Sequence, residues 1–213
     1  MEKDRSAVKL KIRCGILSRL RKLTGKWFVP VGVSNRHVHL SEEDLEKLFG
    51  KGYQLENVRP LSQPNQFVAK EKVDISGPKG IIQDVRVLGP VREQTQVEIS
   101  VTDSYRIGKP AVVRMSGELK DTPGVCIIGP RGTIELEAGL IVAARHLHLS
   151  GDQAEEMGLR DGDVVNLAVP GNRAMVLQNV MVRAGSAHEM ELHIDVDEAN
   201  AAQIKNGDIL EII

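Results

Sequence analysis

Aromatic residues are scarce in this chain: one Trp, two Tyr and three Phe among 213 residues. So few rings argue against a stacking platform for single-stranded nucleic acid. There are only two cysteines, Cys14 and Cys126, far apart and outside any Cys-x-x-Cys. That spacing argues against a disulfide framework and points to a reducing, cytoplasmic setting. No apolar run reaches the ~18–20 residues of a membrane span, and the N-terminus lacks the continuous apolar stretch of a secretory signal. A formal net charge of −1 and a sequence pI of about 6.6 give no overall electrostatic footprint for nucleic acid. The apolar fraction, 41%, is ordinary, and the length allows one large domain or two small ones.

Charge is spread unevenly. Residues 1–26 hold nine Lys or Arg against Glu2 and Asp4, so the remaining residues carry 19 basic and 27 acidic side chains. Within the basic head, Val8, Ile12, Ile16, Leu20 and Leu23 recur at spacings of four and three. This pattern predicts an amphipathic helix with a narrow apolar stripe. One reading packs the helix on its own domain. Its position ahead of the repeated part of the chain favours a separable targeting or docking helix.

The repeat is carried by histidine. Arg36-His37-Val38-His39-Leu40-Ser41 recurs 109 residues later as Arg145-His146-Leu147-His148-Leu149-Ser150, and these copies hold four of the six histidines. Short alternating or apolar runs surround both copies: Val73/Ile75, Val85/Val87 and Val97/Ile99/Val101, then Val180/Val182, Leu192/Ile194 and 209–213. Gly77-Pro78, Gly89-Pro90, Gly129-Pro130 and Pro170-Gly171 punctuate them. Many short strands with frequent turns argue for a mainly β fold of barrels. Ser41 with Asp44, and Ser150 with Gln153, read as helix N-caps, Gln153 completing the better capping box. A further short helix is expected over 195–201. The turns Asp161-Gly162-Asp163 and Asn206-Gly207-Asp208 form a second repeat.

Residues two apart in a strand face the same way. His37 with His39, and His146 with His148, therefore present imidazole pairs that suit zinc, while Val38 and Leu147 turn to the core. A third ligand is needed in each half. Val85 through Ile99 aligns with Val180 through Ile194 at an offset of 95, which sets Glu98 opposite His193. Both are good zinc ligands. Arg92, just after a Gly-Pro turn, is placed to reach an anion near the metal. Arg36 and Arg145 read as substrate groups or, at least as readily, as structural ion pairs. His188 has no counterpart and is expected in a solvated loop.

Val29-Pro-Val-Gly-Val-Ser-Asn-Arg-His-Val-His-Leu-Ser, Val87-Leu-Gly-Pro-Val-Arg, Thr95-Gln-Val-Glu-Ile-Ser, Ala144-Arg-His-Leu-His-Leu-Ser and Leu192-His-Ile-Asp-Val-Asp-Glu-Ala-Asn together resemble the phosphate propanoyltransferase family of phosphotransacylases, over about residues 28–213. The resemblance implies two interleaved β-barrels related by internal duplication, with short capping helices. The implied division is an N-terminal extension 1–25, one barrel from 26–35 and 144–213, and a second from 36–143. It implies two Zn²⁺ per chain, one on His37, His39 and Glu98, the other on His146, His148 and His193. Arg92 resembles the phosphate-binding catalytic arginine, and Ser34, Ser116 and Arg183 resemble substrate-binding groups. Acyl-CoA and phosphate are the implied substrates. Residues 1–25 resemble the peptides that bring some members inside bacterial microcompartments through shell or core proteins. A homodimer is expected.

Two other chemistries compete. A zinc hydrolase would use water where phosphate is expected, but neither histidine pair continues into the Asp-His of the metallo-β-lactamase pattern. A cupin-like set of His37, His39 and Glu43 fails because Glu43 falls in the first turn of the capped helix. A purely structural zinc scaffold would normally supply four protein ligands per metal, and three are found.

Overall fold

The computed structural model describes residues 15–110 and 112–213. Residues 15–24 form a helix, α1. There follow β1 (Phe28–Ser34), β2 (His37–His39), α2 (Glu42–Phe49), β3 (Asn57–Pro60), β4 (Phe67–Gly77), β5 (Gly80–Gly89) and β6 (Gln96–Glu98). Next come α3 (Val101–Ile107), β7 (Val113–Arg114), β8 (Cys126–Ile128), β9 (Thr133–Glu135), β10 (Leu140–Ala143) and β11 (His146–Leu149). The chain ends with α4 (Gly151–Met157), β12 (Val164–Val169), β13 (Met175–Ala184), β14 (Glu191–Asp195), α5 (Val196–Ala202) and β15 (Ile209–Ile212).

The fold is mainly β and interleaved, as the repeats and the resemblance lead one to expect. Strands in the order β1-β14-β11-β13-β12-β15 close a barrel, and the middle of the chain forms a nine-stranded sheet, β7-β10-β6-β2-β5-β4-β8-β9 with β3 on β4. Contacts divide the described residues into one unit of 15–32, 146–193 and 201–213, and another within 33–145 and 194–200. Residues 194–200, which the sequence reading places with the C-terminal barrel, thus group with the middle of the chain. The reason is local: Glu198 pairs with Arg145 at 2.7 Å, and Asp197 Oδ2 accepts the Thr102 N–H at 2.7 Å.

In the middle unit the core is aliphatic, with Val38, Leu40, Leu48, Ile75, Val87, Val97, Ile107 and Ile127 fully buried. Each such side chain contributes about 1.5–3 kcal/mol by leaving water. Ser41 caps α2 by accepting the Asp44 N–H, and Leu45, Leu48 and Phe49 form its buried face. In the other unit Val29, Leu147, Leu149, Leu167, Val180 and Leu192 play the same part. There Ser150 and Gln153 make the full reciprocal capping box of α4.

The duplication is visible in register. His37 lies opposite Arg86 and Glu98 on its two neighbouring strands; His146 lies opposite Met181 and His193. The offsets are 109 and 95 in both cases, as in the sequence. Asp84 and Asn179, also 95 apart, both take φ 57°, the left-handed conformation that Asp and Asn tolerate best. Val101, read as strand from its alternation, instead opens α3. Ser100 and Asp103 form a capping box there, the equivalent of Asp195 and Glu198 ahead of α5.

Part of the N-terminal stripe, Val8 and Ile12, lies outside the described residues. In α1, Ile16 and Leu23 are exposed while Leu20 is half-buried. The Arg21 guanidinium stacks over the Trp27 ring at 3.3 Å and pairs with Glu156. None of the described helices is long and apolar enough to cross a membrane.

Candidate metal and substrate site

Each candidate cluster is built on a strand of alternating pattern. Val38 and Leu147 are fully buried, which turns their flanking histidines to the opposite face. His37, His39 and Glu98 have ligating atoms all within 4.8 Å of one another, and so do His146, His148 and His193. The six residues expected as ligands are therefore brought together as two sets of three. Imidazoles with at most one carboxylate are a donor set that zinc favours.

In the first cluster the His37 Nδ1–H donates to the Asn35 carbonyl at 2.8 Å, leaving Nε2 turned to Glu98 Oε2 at 3.4 Å. Burial pushes the His37 pKa down, but the charge and hydrogen bond of Glu98 and the Asn35 carbonyl outweigh it, and the net shift is upward. His39 is held well below the usual range by burial first, then by the charges of His37 and Arg92. Its Nε2 accepts from Arg92 Nη2 at 2.8 Å. A single lone pair there serves either the guanidinium or a metal, so the two compete for His39.

Arg92 is fixed from its backbone, whose N–H donates to the Leu40 carbonyl at the end of β2. Its Nη1 also donates to Ser116 Oγ at 3.2 Å. Gln96, which was not anticipated, completes the network: its amide Nε2 donates to Ser116 Oγ at 2.8 Å and to Glu98 Oε1 at 2.6 Å, while Oε1 accepts the Gly117 N–H at 2.8 Å. Ser34 donates weakly to the Asn35 carbonyl at 3.4 Å, the same oxygen that orients His37.

In the second cluster Nε2 of His146 and Nε2 of His148 face each other at 3.1 Å. The His193 ring sits 5.2 Å from that of His146 and 4.7 Å from that of His148. Arg183 lies opposite His148 in register. Burial, then the neighbouring histidines and Arg183, depress His148 far below the usual range. Nδ1 of His39 and Nδ1 of His148, equivalent atoms of the two copies, are buried without a well-formed hydrogen bond. His188 corrects the sequence reading: it is half-buried, its ring 4.5 Å from that of His148, and not a solvated loop residue. Glu191, also missed, approaches His193 Nε2 with Oε2 at 3.0 Å.

The arginines ahead of the histidine pairs both form ion pairs. Arg36 pairs with buried Asp103 at 2.8 Å, and Arg145 with Glu198 at 2.7 Å. Each ties its histidine strand to the N-cap turn of the helix that follows the third ligand. Glu43 sits in the first turn of α2 and pairs with Lys47, which removes it from any ligand set.

Comparison with known proteins converges on one group. The sequence model of phosphate propanoyltransferase matches residues 30–205. A phosphate propanoyltransferase from Thermotoga maritima is 52% identical over 195 residues, 91% of each chain. Proteins of the same name from Rhodopseudomonas palustris and Salmonella typhimurium are 48% and 45% identical, covering 86% and 84% of this chain and 81% and 85% of their own.

Proposed function

The chain belongs to the phosphate propanoyltransferase family, an enzyme family, and from that premise we propose that it exchanges a short acyl group between coenzyme A and phosphate. Acyl-CoA and phosphate give acyl phosphate and CoA, with propanoyl-CoA or a similar short thioester as substrate. Two Zn²⁺ per chain are the proposed cofactors, one on His37, His39 and Glu98 and one on His146, His148 and His193. The observation that carries this reading is the pair of three-ligand clusters at equivalent register, each with three protein ligands, as in catalytic zinc sites.

The chemistry follows from the groups present. Phosphate is already an anionic nucleophile and needs little base catalysis. Its approach to a thioester is opposed by charge, and a tetrahedral oxyanion must be stabilised. Zinc held in these clusters would polarise the carbonyl oxygen and stabilise the departing thiolate. Arg92 grips phosphate through its planar fork and aims an oxygen at the carbonyl, with the Ser116 hydroxyl beside it. On binding phosphate, Arg92 exchanges its contact with His39 for the anion. Ser34 and Arg183 are proposed as further polar contacts to substrate. Direct transfer is preferred over an acyl-enzyme because no nucleophile-base pair is evident among the described residues.

For organisation, residues 1–25 are proposed as a docking extension that places the enzyme in the cytoplasm inside a bacterial microcompartment, through shell or core proteins. The remaining residues are proposed to act as two barrel domains, with 194–200 belonging to the middle unit, and the enzyme is proposed to work as a homodimer. The catalytic reading is tested by thiol release from propanoyl-CoA with and without phosphate. The transferase releases thiol only with phosphate. Release that is independent of phosphate would identify a thioester hydrolase, and no release would identify a non-enzymatic scaffold.

A further inference from the structure

Gln96 and Glu191 occupy equivalent places in the two copies. Gln96 lies opposite His39 across β2 and β6, and Glu191 lies opposite His148 across β11 and β14. Each stands two residues ahead of the third candidate ligand, on the same strand face, and each is buried. Each touches that ligand: the Gln96 amide donates to Glu98 at 2.6 Å, and the Glu191 carboxylate meets His193 Nε2 at 3.0 Å.

We infer that Gln96 and Glu191 are a duplicated pair of positioning residues, each of the chemical type that its neighbouring ligand requires. The inference rests on the zinc reading above. A carboxylate ligand needs a donor beside it, and Gln96 supplies one. It holds Oε1 of Glu98 and leaves Oε2 turned to His37. An imidazole ligand needs an acceptor, and Glu191 supplies that. With its Nε2–H donated to Glu191, His193 keeps its lone pair on Nδ1, which fixes the tautomer and the ring's orientation.

Exchanging the residue types breaks both matches. A carboxylate at 96 would face the Glu98 carboxylate across a buried contact, where like charges repel and desolvation is costly. An amide at 191 keeps the shape but loses the charge that supports the imidazole.

A second observation shows room made for Glu191. A Cβ on Gly32 would stand 2.9 Å from its carboxyl carbon and 3.1 Å from His193 Cδ2, so β1 carries no side chain where this pair packs. Gln96 has its own support in the Gly117 N–H, which fixes the amide so that its NH₂ points to Glu98 and Ser116.

The test uses the full chain and three variants: Gln96→Glu, Glu191→Gln, and Gln96→Glu combined with Glu98→His. Zinc retained against a competing chelator is measured, with the visible spectrum of the Co²⁺-loaded protein. Gln96→Glu should weaken one of the two metals about ten- to a hundredfold and change the spectrum of that site alone. Glu191→Gln should weaken only the other. Adding Glu98→His to Gln96→Glu should restore binding, because it recreates the imidazole-carboxylate pair of the second copy. If Gln96→Glu does not fold, Gln96→Met removes the donor while keeping the shape and carries the same expectation. Wild-type affinity and spectrum in both single variants, or a double variant that binds no better than Gln96→Glu, overturns the pairing. In those cases two metals in the wild-type chain leave the zinc reading in place. A wild-type chain that binds no metal overturns the zinc reading, and the pairing with it.

Discussion

The two candidate clusters share a backbone and differ in chemistry. β5 and β13 have the same burial class at nine of ten positions, and the strands flanking each histidine pair align at constant offsets. Three of the differences between the copies stand out at the clusters. Glu98 stands where the other has His193, and Gln96 where the other has Glu191. Arg92, whose N–H caps the Leu40 carbonyl, corresponds to Gly185, whose N–H caps that of Leu149. The first copy therefore joins an anionic ligand to a guanidinium. The second is all imidazole, its His193 side chain 24% exposed against 11% for Glu98. Duplication fixed where side chains point, and substitution at a few facing positions gave the halves unlike electrostatics.

The sharpest break removes one ligand from each copy. His37→Ala and His146→Ala should each cost about one equivalent of metal and leave activity near zero, because the proposed function requires both metals. Elemental analysis and thiol release read this out; an active His146→Ala chain would mean that the second copy is structural.

Next in size is an effect on stability. Arg36→Ala leaves the Asp103 carboxylate, whose side chain is 3% exposed, without its cation and with the Ser100 N–H of the capping box, whereas Glu198, the partner of Arg145, is 20% exposed. Removing one member of a buried pair costs about 3–5 kcal/mol. Arg36→Ala should approach that range in urea unfolding, and Arg145→Ala should fall below it. Equal losses would show that the two bridges are alike despite their burial.

Arg92→Ala sharpens the comparison from the catalytic side. Loss of one charge-assisted contact costs about 1.5–3 kcal/mol, or roughly ten- to a hundredfold. The loss should fall on phosphate kinetics and spare acyl-CoA binding. An unchanged KM for phosphate at normal turnover would make Arg92 a bystander.

The smallest effect is expected outside both copies. Deleting 1–25 removes the Arg21 contacts with Trp27 and Glu156 but none of the candidate ligands. Thiol release should be unchanged, while residues 1–25 fused to a fluorescent protein should enter microcompartments. Lost activity would place the helix in the core, and a fusion that stays diffuse in cells with intact shells would reject the docking role.

How far the sequence could be read depended on whether the signal was periodic. The histidine pairs were legible because alternation fixes their face and a scarce residue recurred. Glu98 and His193 followed from one alignment. α3 was missed because Val97, Ile99 and Val101 continue a strand-like alternation, although Ser100 and Asp103 already matched Asp195 and Glu198 at the same offset. Gln96 and Glu191 escaped because they differ between the copies and only the folded chain brings each onto the third candidate ligand. His188 belongs to no repeat, so only the folded chain brings its ring onto His148.

The central claim is that both copies hold zinc and that both are needed for phosphate-dependent transfer. Zinc titrated into chelator-stripped chain, with thiol release from propanoyl-CoA followed at each addition, tests it directly. The account predicts no release without phosphate, and activity that reaches its plateau only at two equivalents per chain. Full activity in the stripped chain, or a plateau at one equivalent, would contradict it.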